Sequence, residues 1–387
     1  KKHMLDAPTE RHAEGMTFEP EVFERVSRCV ALYQQGCRYM AIFTAHLKDE
    51  ATKWKKISAG KTRVFTGAPV DWSIVVRQYF LSCVRVIQRN KLIFEAGPGT
   101  NPQSTEWEMI GKYLTQHGDK KMIAGDYASF DKSMPPSVIL AAFDVLIHLC
   151  VKGGYTEDQL RVCWGIAYDT AFPLVDFHGD LVQFYGSNPS GHPLTVIING
   201  LANSLYMRYC YKTLSPNKEC ASFKENVSLM TYGDDNVMGV SDECEWFNHT
   251  TIQSCLEQVN ITYTMADKEA ASIPYISISE VSFLKREWRM DEDVGHVLAP
   301  LEEDSIHKML TVQVASKSIA PEAQAIATIE SALAEWFFYG KDVYEARLRD
   351  MLYIVHTCEL DQWVEPSTFV EWHVLKDRFL QNSKDLA

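Results

Sequence analysis

The sequence has no CxxC pair among its ten cysteines, no repeat, no low-complexity tract and no apolar run long enough for a bilayer. Cysteines scattered without disulfide-framework or zinc spacing read as reduced thiols in a cytosolic setting. The longest nearly apolar run, Val138 to Val151, is broken by Asp144 and His148. Lys1-Lys2-His3 leads into polar sequence rather than an apolar signal segment. Twenty glycines and 15 prolines in 387 residues are too few for a collagen-like or mucin-like chain. Basic charge is also in deficit: 38 Lys and Arg against 51 Asp and Glu leave a net charge of −13. That balance excludes a protein that coats nucleic acid with its whole surface, but not an enzyme with a local basic channel. Core-forming residues are abundant, at 46%. They imply a globular chain of two or three domains, or one large multi-lobed unit, and exclude general disorder.

Val22, Val26, Val30 and Tyr33 share one face of a helix expected over Glu21 to Tyr39, and Ser73 to Gln88 reads as a second helix. The first 20 residues, with Pro8 and Pro20, read as a loose lead-in, and Lys48 to Arg63 is the densest basic stretch. A Gly/Pro/Asn-rich loop over Asn90 to Thr105 precedes a helix from Glu106 to Thr115, with Ser104 or Thr105 as its cap. Lys121 to Ala124 predicts a strand running into Asp126, and Pro135-Pro136 opens a helix through Cys150. Leu194 to Tyr211 predicts a helix after a Ser/Gly/Pro turn. Val227 to Tyr232 and Asn236 to Val240 flank Gly233-Asp234-Asp235 as a hairpin. Trp246 to Val259 reads as helix and Tyr275 to Leu284 as strand. From Pro300 onward helices dominate, which predicts a separate C-terminal lobe.

Three segments fall where such elements meet: Asp126 to Asp131 at a strand end, Ser190 to Thr195 with Asn199 in a turn feeding a helix, and Tyr232 to Asp235 at a hairpin tip. Each alone is ordinary, since a GDD turn is commonly a solvated loop tip and Ser-Gly before a helix a cap. Together they suggest more. An aspartate at a strand end beside two in a neighbouring turn puts carboxylates on one edge of a sheet. Hard cations such as Mg²⁺ take oxygen ligands, and phosphoryl transfer commonly uses two such ions about 3.5–4 Å apart. Thr195 and Asn199, four apart, share a helical face.

In this order the segments resemble motifs A, B and C of viral RNA-dependent RNA polymerases, most of all those of the picornavirus-like superfamily. DxxxxD is Asp126 and Asp131, SGxxxTxxxN is Ser190, Gly191, Thr195 and Asn199, and YGDD is Tyr232 to Asp235. Lys48-Asp49-Glu50, Lys56 and Gly60-Lys61-Thr62-Arg63 resemble motif F. Ala266-Asp267-Lys268 resembles motif D, Phe283-Leu284-Lys285-Arg286 motif E, and Asn101-Pro102 with Glu106-Trp107 the segment ahead of motif A. The likeness runs over roughly residues 45 to 300.

The resemblance implies an α+β right-hand fold, with an antiparallel palm sheet backed by helices, finger insertions and a helical thumb. Fingers would be 1–79, palm 80–159, a fingers insertion 160–187, palm again 188–290 and thumb 291–387. It implies template-directed RNA synthesis from ribonucleoside triphosphates, replicating a positive-strand RNA virus genome. Two Mg²⁺ ions, with Mn²⁺ as a substitute, would be held by Asp126, Asp234 and Asp235. Asp131 and Asn199, with Ser190 and Thr195, would select ribose through its 2′-hydroxyl. Lys48, Lys56, Lys61 and Arg63 would line the nucleotide tunnel, Arg63 nearest the triphosphate. Lys268 would protonate the leaving pyrophosphate, and Gly191, Lys285 and Arg286 would touch RNA. The implied partners are an RNA template and primer strand, nucleoside triphosphates, a VPg-like peptide primer and other viral replication proteins. The implied location is the host cytoplasm, at membrane-associated replication complexes reached through those partners.

Two features depart from the family pattern. Thr52 stands where relatives often carry a further basic residue, and residues 1–47 are fewer than the family's finger region ahead of motif F. The expectation is a polyprotein fragment or a shortened index finger. A reverse transcriptase is disfavoured by Gly233 and by the Asp131/Asn199 pair, since a bulky aromatic is expected there at the Asp131 position. A non-catalytic RNA-binding scaffold would be expected to have lost a metal carboxylate, whereas all three are present.

Overall fold

A computed structural model describes residues 4–9, 15–267, 270–316, 318–365 and 367–384. Its central sheet has four antiparallel strands in the order β10–β5–β9–β8: β5 is Met122–Tyr127, β8 Val227–Tyr232, β9 Asp235–Val240 and β10 Tyr263–Met265. The strands are largely buried because both faces are covered. Met122, Ala124, Met230 and Val237 pack with Trp107, Ile110 and Leu114 of α5 (Glu106–Leu114). Ile123, Tyr127, Leu229 and Met238 belong to the large core under α9 (Thr195–Leu214) and α11 (His249–Glu257). The alternation of a strand therefore assigns each residue a layer.

A second four-stranded sheet lies away from the first, in the order β4–β3–β6–β7. It joins β3 (Ile42–Leu47) and β4 (Val64–Gly67) to β6 (Leu174–Phe177) and β7 (Asp180–Gln183), with β3 and β6 parallel. The basic stretch is thus the excursion between β3 and β4. It is closed at its base by the Lys48 N–H to Arg63 C=O bond of 2.9 Å and carries one short helix, α2 (Trp54–Ser58). The insertion after residue 160 docks on the same sheet. Helices α1 (Pro20–Gln34), α3 (Val70–Arg89), α7 (Pro136–Lys152) and α8 (Glu157–Ala171) share the large core with α9. Residues 79 and 80 fall within α3, and 159 and 160 within α8. Three short helices, α4 (Lys91–Phe94), α6 (Phe130–Ser133) and α10 (Phe223–Asn226), turn the chain between these parts.

Two sequence expectations are corrected. The first 20 residues contain a strand pair, β1 (Met4–Asp6) with β2 (Met16–Phe18). Tyr275 to Leu284 is not a strand: Ser277 and Glu280 close a reciprocal capping box, which folds Ile278–Glu280 into one 3₁₀ turn. Of the two expected caps of α5, Thr105 holds the N-cap position without a side-chain cap bond, while the Ser104 hydroxyl accepts the Glu106 N–H at 3.3 Å.

A hairpin of β11 (Arg289–Asp291) and β12 (His296–Leu298) leads into a helical lobe. It comprises α12 (Glu303–Thr311), α13 (Pro321–Trp336), α14 (Lys341–Thr357) and α15 (Trp372–Lys384), around a separate core that includes Ile306, Leu333, Trp336, Phe337 and Phe379. All ten cysteines are free thiols. Among the described residues no helix is long and apolar enough to cross a membrane.

Candidate active site

Asp126 is the penultimate residue of β5. Ala124 pairs with Val237 and Gly125 with Asn236, so one further step aligns Asp126 with Asp235. Opposed residues in antiparallel strands stand about 5 Å apart at Cα. Strand alternation fixes the side: Asp126 continues the Met122–Ala124 face and Asp235 the Val237 face, so both issue from the α5 side of the sheet, past the end of its apolar cover. Asp234 is the second of the two turn residues between Tyr232 and Asp235, behind Gly233 at φ 64°, a conformation suited to glycine in such a tight hairpin. All three aspartates are half-buried.

The turn is held from behind by Asn203 of α9, a residue sequence reasoning missed. Its Nδ2 donates toward the carbonyls of Gly233 (3.1 Å), Asp234 (3.0 Å) and Asp235 (3.3 Å). Its Oδ1 accepts from the Tyr127 hydroxyl and Asn236 Nδ2, each at 3.1 Å, and Tyr263 completes the set by donating to Asn236 Oδ1 at 2.8 Å. β5 and the turn are thus tied through the buried Asn203 amide, and β10 joins them through the buried amide of Asn236. The available signal was spacing, because Asn203 repeats the Thr195–Asn199 interval on the same helix face.

Asp131 sits in α6, after Ser129 turns the chain at φ 56°. Asn199 donates to its Oδ1 at 2.5 Å, so the structure joins the two residues that the sequence pairs. Burial raises the Asp131 pKa above the usual carboxylate value, opposed by the Asn199 bond and by the charges of Arg63 and Lys132. Arg63 therefore lies within electrostatic range of the site, although its ion pair is with Glu50, which also pairs with Lys48. Lys56 and Lys61 are exposed on the same excursion.

Ser190 and Gly191 dock on β4. The Ser190 N–H donates to Thr66 Oγ1 (3.1 Å), Ser190 Oγ accepts the Thr66 N–H (3.3 Å), and the Ala68 N–H donates to the Gly191 carbonyl (3.0 Å). A Cβ on Gly191 would stand 2.5 Å from the Thr66 carbonyl oxygen, so close approach requires glycine here. Thr195 shapes the loop, its hydroxyl 2.9 Å from the Pro189 carbonyl and 3.0 Å from that of His192. A cavity of about 310 Å³ opens between this loop and β4, with Asp131, Asn188, Ser190 and Thr66 in its lining.

Elsewhere the sequence-predicted residues divide. Lys268 lies outside the described residues; it follows β10, which pairs with β5 at Thr264 opposite Asp126. Lys285 is exposed, with Nζ 3.2 Å from Ser305 Oγ. Arg286 turns inward: it makes a bidentate pair with Glu335 of α13 at 2.8 Å and 2.8 Å and donates to the Ala299 carbonyl. Arg286 thereby ties the sheet region to the helical lobe. Trp107, from the Glu-Trp segment, serves the same junction, stacked at 4.8 Å on Trp288.

The donor set suits a hard divalent cation. It is all carboxylate, and among the described residues no three His, Cys, Asp or Glu side chains enclose an ion by themselves.

The viral RNA-dependent RNA polymerase family matches residues 8–354. The replicase polyprotein of Cricket paralysis virus is 33% identical over 344 residues, covering 84% of this chain and 19% of that protein. The RNA1 polyprotein of Andean potato mottle virus is 28% identical over 316 residues, covering 79% of this chain and 42% of that one. This chain thus spans about a fifth of the Cricket paralysis virus polyprotein. In structure it matches a Sicinivirus 3Dpol RNA-dependent RNA polymerase with a TM-score of 0.76 at 19% identity, over 98% of this chain and 74% of that one, which shows the right-hand polymerase fold. The chain belongs to the viral RNA-dependent RNA polymerase family, among its picornavirus-like members.

Proposed function

We propose that this chain synthesises RNA on an RNA template by nucleotidyl transfer and replicates a positive-strand virus genome. The primer 3′-oxygen attacks the α-phosphorus of a ribonucleoside triphosphate, the bond to the β-phosphate oxygen breaks, and pyrophosphate leaves. The observation that carries the reading is the register of β5 against β9, which aligns Asp126 with Asp235 beside the turn bearing Asp234. These carboxylates would hold Mg²⁺, which when bound lowers the pKa of the attacking hydroxyl and neutralises charge developing on the phosphate. The chain's own part is positioning. Asn203 fixes the turn, and Asp131 with Asn199 meets the ribose. Lys48, Lys56, Lys61 and Arg63 supply the positive charge that a triphosphate needs. Lys268, from its place after β10, would give the proton to pyrophosphate.

Peptide-primed initiation and recruitment to membrane-associated complexes through other viral proteins belong to the same proposal. The test is extension of an RNA primer on an RNA template with Mg²⁺ and either ribo- or deoxyribonucleoside triphosphates, with and without a peptide primer. Ribonucleotide addition is expected. RNA binding without addition would indicate a scaffold, and preference for deoxyribonucleotides a reverse transcriptase.

A further inference from the structure

The Asp131–Asn199 bond is the visible end of a longer chain of side chains. Asn199 Oδ1 accepts from Asn188 Nδ2 at 2.7 Å, and Asn188 Oδ1 lies 3.0 Å from His192 Nε2. His192 Nδ1 accepts the Leu194 backbone N–H at 3.3 Å. Asn188, His192 and Asn199 are all buried, with His192 edge-on to Trp72 at 5.9 Å.

The two ends of this chain admit one sense only. A backbone N–H can only donate, so His192 Nδ1 carries no proton and the ring's hydrogen sits on Nε2. Burial pushes the His192 pKa down to about 3, which keeps the ring neutral and the tautomer single at working pH. Nε2–H then donates to Asn188 Oδ1, which turns the Asn188 amide nitrogen toward Asn199 Oδ1. That in turn leaves the Asn199 amide nitrogen facing the carboxylate of Asp131, an acceptor when ionised. The Thr195 carbonyl, 3.4 Å from Asn188 Nδ2, favours the same sense of that amide; the Asn199 amide would otherwise be free to flip by half a turn with little change of shape.

We propose that His192 and Asn188 are positioning residues for ribose selection, fixing the Asn199 amide so that its nitrogen, not its oxygen, faces Asp131. The inference rests on the reading of Asp131 and Asn199 as the ribose-selecting pair. A 2′-hydroxyl both donates and accepts. It can donate to Asp131 and accept the second Nδ2 hydrogen of Asn199. A deoxyribose offers neither contact. Were the Asn199 amide free to turn, its oxygen would oppose the carboxylate and the acceptor half of this discrimination would be lost.

The test measures kcat/KM for a ribonucleoside triphosphate and its 2′-deoxy analogue in single-nucleotide extension by the full chain. His192→Met fills the volume without a donor, and Asn188→Asp keeps the shape but removes the N–H. His192→Gln restores a donor where Nε2 stands. Losing one oriented hydrogen bond predicts that the ribo/deoxy ratio falls on the order of two- to tenfold in the first two variants. It should stay near wild type in the third. A general folding defect would lower both substrates together and leave the ratio alone. A ratio unchanged in His192→Met and Asn188→Asp overturns the proposal.

Asp131→Asn is the control. If it also leaves the ratio unchanged, the ribose-selecting reading of the pair has failed, and the positioning role with it. Because a buried substitution can prevent folding, ¹⁵N-histidine NMR of the unmodified protein provides a second, independent test. His192 should remain a neutral Nε2–H ring between about pH 8 and pH 5.5. An Nδ1–H tautomer, or a titration within that range, overturns the relay.

Discussion

Asn203→Leu removes the clamp behind the aspartate turn while nearly conserving volume. The change strips Nδ2 from three turn carbonyls and Oδ1 from the Tyr127 hydroxyl and the Asn236 amide. The carbonyls of the half-buried turn can recover a water. Tyr127 and Asn236 are 2% exposed each and cannot, so two buried donors lose their partner. At about 1–3 kcal/mol for each unsatisfied buried group, the expected destabilisation is about 2–6 kcal/mol. The turn that carries Asp234 also loses its fixed position, and a displacement near 1 Å costs on the order of a hundredfold in rate. Single-nucleotide extension should therefore show kcat reduced by about that factor, with RNA affinity unchanged because no basic residue is touched. Thermal melting should fall in parallel. A variant with wild-type melting and wild-type kcat would show that Asn203 does not organise the turn.

Other contacts give three further outcomes. Gly191→Ala sets a methyl 2.5 Å from the Thr66 carbonyl oxygen, so the loop must leave β4; a stability loss of about 1–3 kcal/mol and a drop in nucleotide addition are expected, and unchanged melting would contradict it. Arg286→Met leaves Glu335 as an uncompensated carboxylate in a site where both side chains are 13% exposed. Chemical denaturation should show a loss of about 3–5 kcal/mol, largely recovered in Arg286→Met with Glu335→Leu, whereas equal losses in single and double variants would refute the pairing. His192 has a folded pKa near 3, below the usual histidine value near 6.5. The unfolded chain therefore binds the extra proton between those values, and the contribution is complete above the upper one. Stability should fall as pH drops from about 6.5 toward 3, by at most about 1.4 kcal/mol per pH unit from this residue, and His192→Gln should show a shallower slope in pH-dependent melting.

The site was legible in the sequence because its parts are local patterns. A short strand into Asp126, a Gly-Asp-Asp turn and an Asn one helical turn beyond Thr195 each mark themselves. What escaped was whatever depends on partners distant in the chain. Arg286 reads as a free cation until Glu335, 49 residues later, is seen against it. The strand pattern over Tyr275 to Leu284 lost to a capping box that satisfies the backbone locally. β3 and β4 were hidden because they bracket the charged excursion and run only six and four residues. Asn203 and Asn188 resemble ordinary polar residues, and only the carbonyls and amides around them reveal their work.

The decisive comparison is one-nucleotide extension of an RNA primer–template by the wild-type chain, Asp126→Asn and Asp234→Asn at equal bound RNA. Ribonucleotide addition is expected from the wild type and should be lost in both variants, although the two residues stand more than a hundred positions apart in the sequence. Addition at the wild-type rate by either variant would mean that these carboxylates do not hold the catalytic ions.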